Sequence, residues 1–105
     1  MFYDYSPDYL GRRGEFRREH LKLAWESHAR GELILGGALA EPEDDAVLLF
    51  QCTSPDVAER FAANDAYVKN GLVTNYRVRS WTTVVGKDAD SPLEPEACTS
   101  PTKKR

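Results

Sequence analysis

The sequence predicts a single α+β domain with elements in the order β-α-β-β-α-β and an antiparallel sheet. Three observations carry this expectation. Two stretches repeat apolar residues at helical spacing, short apolar runs flank them, and turn-forming residues stand at the junctions. At 105 residues and 41% hydrophobic content the chain fits one small domain. A chain of this size buries roughly two-thirds of its unfolded surface, and pairing with a second copy adds core without adding length.

Residues 2–5 (Phe-Tyr-Asp-Tyr) alternate and suit a very short first strand. Pro7, Gly11 and Gly14 mark a loop, with a helical turn around Tyr9-Leu10. From Glu15 to Arg30 the spacing is helical: Phe16, His20, Leu23, Ala24 and Ser27 share a face, which Leu21, Trp25 and Ala29 broaden. Gly31 is the expected stop, because glycine accepts the left-handed cap conformation.

Residues 33–39 read as a buried strand, interrupted at Gly36-Gly37 by a bulge or by a close approach to the backbone. An acidic turn over 41–45 leads into a second buried strand, Ala46 to Cys52, so that 33–52 forms a hairpin. Ser54-Pro55-Asp56 starts the second helix by capping, fixed φ and dipole charge respectively. Val57, Ala58, Phe61 and Ala62 give that helix its apolar face, and it should end near Asn64. Gly71 marks a further turn, and Leu72 to Val85 reads as a long last strand. The domain is thus expected over residues 1–86. Residues 87–105, with scattered charge and little to bury, are expected to be a disordered tail. The order is the split βαβ arrangement of ferredoxin-like folds, with both helices on one sheet face and the other face open to a partner sheet.

A net charge of −3 argues against nucleic acid or an anionic membrane as partner. Cys52 and Cys98 make no disulfide framework, and no metal-ligand spacing suggests zinc. A reduced, cytoplasmic setting is expected. No apolar run is long enough to span a bilayer, and no signal-peptide pattern follows Met1.

Chemistry concentrates in two segments. His20 sits on the core face of the first helix, and Asp65 stands where the second helix gives way to a strand. Histidine titrates near working pH, and a carboxylate on one ring nitrogen would fix the tautomer and leave the other free to take a proton. Structural readings compete at each position. His20 could bond a backbone carbonyl, Asp65 could serve a helix end, and Arg17 could be one of several solvated arginines. Tyr67 could be packing, Gly36 and Gly37 could permit a bulge, and His28 suits the dipole at the helix end. Trp81 is expected to pack at a dimer interface or sheet face, and Cys52 to behave as a small buried hydrophobe.

Four motifs, in order, resemble the YCII-related (YciI-like) family. They are Arg17-x-x-His20-Leu21, Leu35-Gly36-Gly37, Asp65-x-Tyr67-Val68-x-x-Gly71-Leu72 and Val78-Arg79-x-Trp81. The resemblance implies a dimeric α+β barrel of ferredoxin-like subunits with His20 and Asp65 as a catalytic pair. Arg17, Gly36, Gly37 and Tyr67 would then contact substrate. It also implies a cofactor-independent lyase or isomerase acting on a small phenolic or enolic molecule, dehydrochlorination being one such reaction. Ala66 departs from the proline usual after the aspartate, which removes a restraint that would hold Asp65 extended. Two other readings stand beside this one: a non-catalytic ligand-binding or dimerisation module, and a haem-binding or quinol-oxidising monooxygenase of the same barrel type.

Overall fold

A computed structural model describes residues 1–95. The elements are β1 (Phe2–Tyr5), α1 (Tyr9–Ala29), β2 (Leu33–Ala38), β3 (Asp45–Phe50), α2 (Asp56–Asn64), α3 (Ala66–Lys69) and β4 (Val73–Arg77). The four strands make one antiparallel sheet in the order β2-β3-β1-β4. This is the expected ferredoxin-like α+β fold. Strand register sets Tyr3 opposite both Ala46 and Tyr76, so these three share the face that packs on the helices. There Tyr3 and Ala46 join Leu33, Leu48, Phe61, Ala62, Tyr67 and Leu72 in one core, with Tyr76 and, from α1, Phe16, Leu23 and Ala24 packed against it.

Three boundaries differ from expectation. Helix α1 begins at Tyr9 rather than Glu15 and runs straight through Gly11 and Gly14. Each interior glycine costs about 1 kcal/mol relative to alanine. Tertiary contacts offset that cost: Tyr9 is buried in the core, and the Arg12 guanidinium donates to the Asn70 carbonyl at 3.0 Å. Strand β4 ends at Arg77 rather than Val85. It pairs only with β1, whose partners run out where Phe2 meets Arg77, so the ladder has nothing further to bond. Trp81 and Val85, beyond that point, are exposed. Strand β3 likewise stops at Phe50, which leaves Cys52 exposed rather than buried.

Other local expectations hold with small shifts. The Asp56 amide donates to the Ser54 hydroxyl at 3.2 Å, and Pro55 precedes the first helical residue. The bulge in β2 falls between Leu33 and Leu35, ahead of the glycine pair. From residue 87 onward, the Ser91 and Leu93 amides donate to the Thr83 and Val84 carbonyls. Residues 96–105 of the expected tail, with Cys98 and the basic end, lie outside the described residues.

Candidate active site

The site begins with a backbone corner. Asp65 ends α2 and starts α3, and its φ of −77° and ψ of 127° are extended. No proline follows to enforce that conformation. The side chain supplies the restraint instead, because Asp65 Oδ1 accepts the Tyr67 amide at 3.1 Å and so caps α3. The same carboxylate is fully buried. Its Oδ2 accepts the Tyr3 hydroxyl from β1 at 2.7 Å, and its Oδ1 lies 2.8 Å from His20 Nδ1 of α1. Groups from three elements, β1, α1 and α3, therefore converge on one carboxylate.

That convergence fixes the imidazole. An ionised carboxylate can only accept, so the ring nitrogen facing it carries a hydrogen, and in the neutral imidazole Nε2 is then the nitrogen with the lone pair. The Tyr67 ring stacks on the imidazole, with centroids 3.9 Å apart and planes within 7°. Tyr67 thus holds the pair twice, through its amide on the carboxylate and its ring on the histidine. The side chain of His20 is 16% exposed, in contrast to its sealed partner.

Beyond His20 lies a cavity of about 680 Å³ between α1 and the strands β1, β2 and β3. Tyrosines dominate its inner end. Tyr5 stacks on Tyr9 at 3.6 Å, and the Tyr67 ring stands edge-on to Tyr9 at 5.7 Å. Burial pushes the Tyr67 hydroxyl up to about 12. Tyr3 is raised well above the ordinary tyrosine range, first by burial and then by the adjacent Asp65 charge. These hydroxyls stay protonated as donors at neutral pH. At the mouth, Arg13 pairs with Glu43 of the β2–β3 turn at 3.4 Å.

The residues singled out from sequence converge here in part. His20 and Asp65 touch, and Tyr67 contacts both. Arg17, Gly36 and Gly37 line the cavity, but none is hydrogen-bonded to the pair. The glycines are not needed for space, since a Cβ on Gly36 would meet Leu48 at an ordinary 3.6 Å and one on Gly37 would meet nothing. Sequence reasoning missed Tyr3, although the alternation in residues 2–5 already set Tyr3 and Tyr5 on one face. It also missed that His28 lines the same cavity, with Nδ1 held 2.8 Å from the Leu33 carbonyl. Among the described residues no group of three or more His, Cys, Asp or Glu side chains could hold a metal ion, and no helix is long and apolar enough to cross a membrane.

The chain is thus a ferredoxin-like α+β domain with a carboxylate-anchored imidazole at the wall of a helix–sheet cavity. Comparison with protein families then matches residues 1–82 to the YCII-related domain, and the chain belongs to that family. Comparison with curated proteins and with solved structures gives no match.

Proposed function

We propose that this protein is a cofactor-independent acid–base enzyme acting on a small phenolic or enolic substrate. One observation carries the reading: the 2.8 Å contact between His20 Nδ1 and a sealed carboxylate, at the wall of an open cavity. In the proposed step, Nε2 takes a hydroxyl proton, the O–H bonding pair stays on oxygen, and Asp65 stabilises the resulting imidazolium. Elimination of HCl, the reaction suggested by the family resemblance, fits this scheme for a keto tautomer that carries chlorine on a tetrahedral carbon: the proton goes to His20, the pair left on oxygen forms a new C=O π bond and shifts the adjacent C=C pair, and chloride leaves with the carbon–chlorine pair.

The test is turnover by His20→Ala. With an identified substrate and an intact fold, the rate should fall by roughly 10²–10⁴. Undiminished turnover would reduce the cavity to a ligand-binding module.

We further propose that the working form is a homodimer built on the sheet face away from the helices. Register places Phe2 beside Val47 and Leu35 beside Leu49 on that face. Leu35 is 70% exposed in the single chain. Val47→Asp should turn a dimer into monomers in sedimentation, and a wild-type monomer at working concentration would contradict the assignment.

A further inference from the structure

The cavity is longer than the proposed reaction needs. One face of α1 lines it from Tyr9 to His28, a run of about 28 Å along the helix axis. Its volume of about 680 Å³ lies in the range that holds a drug-sized molecule, roughly 300–1,000 Å³, rather than a single ring. The cations Arg13 and Arg17 stand on the N-terminal side of His20. Past His20 the lining from α1 is Leu21, Ala24, Trp25 and His28, with Leu33 and Ile34 from β2. His28 is the one titratable side chain among these, and it has a nitrogen to spare. The Leu33 carbonyl can only accept, so Nδ1 carries the hydrogen of that 2.8 Å bond. In the neutral ring Nε2 then holds the lone pair, and among the described residues it makes no hydrogen bond and has no acidic partner. Trp25 stands edge-on to His28 at 5.4 Å, and its indole is an apolar plate open to solvent.

We infer that Trp25 and His28 form a second binding subsite, which holds the end of the ligand remote from the hydroxyl that His20 deprotonates. Its ligand is an elongated phenol whose para substituent ends in an uncharged hydrogen-bond donor, a hydroxyl above all. This deepens the acid–base reading and rests on it for the phenolic end. Eight positions separate the two histidines, about 12 Å along the axis of α1. That spacing suits two groups of one ligand rather than a single shared oxygen, and para substitution directs the far end along the helix. A neutral Nε2 accepts and does not donate, so it favours a hydroxyl over an ether. No cation or carboxylate lines this end of the cavity to meet a charged group, and an unpaired charge would bind poorly there. The indole offers contact area to the carbon skeleton between the two polar ends.

Two phenols that differ at the far oxygen supply the test: 4-(2-hydroxyethyl)phenol and 4-(2-methoxyethyl)phenol. NMR titration of the full-length protein gives both affinities, with phenol itself as the control that reaches only the His20 end. The wild type should bind the hydroxyethyl compound about fivefold more tightly than the ether, the effect of one net hydrogen bond. His28→Phe should bind the two alike. His28→Gln, whose amide oxygen still accepts, should keep part of the preference. Trp25→Ala should weaken both long phenols by about fivefold and leave phenol unchanged. Equal affinities in the wild type, no binding of either long phenol, or a preference that survives His28→Phe would each overturn the inference. Turnover by His20→Ala separates the two readings. If that variant turns substrate over normally while the His28-dependent preference is present, the subsite stands and the acid–base reading falls. If turnover drops as expected but the wild type binds the two phenols alike, the subsite falls and the acid–base reading stands.

Discussion

His20 and His28 occupy two regions of one helix and one cavity, and both have Nδ1 held 2.8 Å from an oxygen. The oxygens differ. His20 faces a carboxylate sealed from solvent, which two further donors hold in place. His28 faces the Leu33 main-chain carbonyl and an edge-on Trp25, itself 66% exposed. Any acceptor fixes a tautomer, but only a full negative charge compensates an imidazolium. The comparison teaches that orientation alone is common, whereas orientation with charge requires a buried anion that the fold must be built around.

The largest expected effect tests that last clause. Asp65→Ala strips the acceptor from the Tyr3 hydroxyl, the Tyr67 amide and His20 at once. It should lower unfolding stability by roughly 3–5 kcal/mol in urea titrations. Asp65→Asn keeps the shape and should lose less. A wild-type midpoint for Asp65→Ala would mean that the His20 region is no more integrated than the His28 region.

Alkaline pH probes the same region without mutation. Unfolded tyrosine ionises near 10, whereas folded Tyr67 sits at about 12 and Tyr3 is raised further. Above pH 10 the unfolded state therefore binds fewer protons than the folded one, and stability falls as pH rises. The stabilisation is fully present below pH 10 and is lost through and beyond pH 12. Tyrosinate absorbance should accordingly rise together with loss of the circular dichroism signal. Ionisation of all five tyrosines near pH 10 with the fold intact would contradict the buried network.

The smallest effect belongs to the other histidine. His28→Gln gives up one hydrogen bond to a carbonyl near the surface and should cost about 1 kcal/mol. The His20 imidazole resonances in NMR spectra should stay where they are. A shift in them would mean that the two regions communicate along α1.

Much of this architecture was legible in the residues. The helical spacing that puts Phe16, His20 and Leu23 on one face follows from side-chain volume and polarity alone, and so do the paired strands at 33–52. Asp65 could not be assigned that way. Its reading as a helix-end residue and its reading as a histidine partner use the same local sequence, and the structure assigns it both contacts. The early start of α1 was hidden because Gly11 and Gly14 locally signal a loop. The contacts that override them, from Tyr9 and Arg12, reach residues far along the chain. The short β4 was hidden for a related reason: its apolar alternation continues to Val85, but the length of a strand is set by its neighbour as well as by its own residues.

The β2 wall of the cavity includes Gly36, which pairs with the core residue Leu48, so a methyl group added there would face the cavity side and meet Leu48 at an ordinary 3.6 Å, whereas one on Gly37, opposite Val47, would project from the other sheet face. A methyl group at Gly36 would narrow that wall while leaving the contacts of His20 and Asp65 in place. The room a ligand would have and the paired imidazole and carboxylate are thus set by different elements, a strand on one side and two helices on the other.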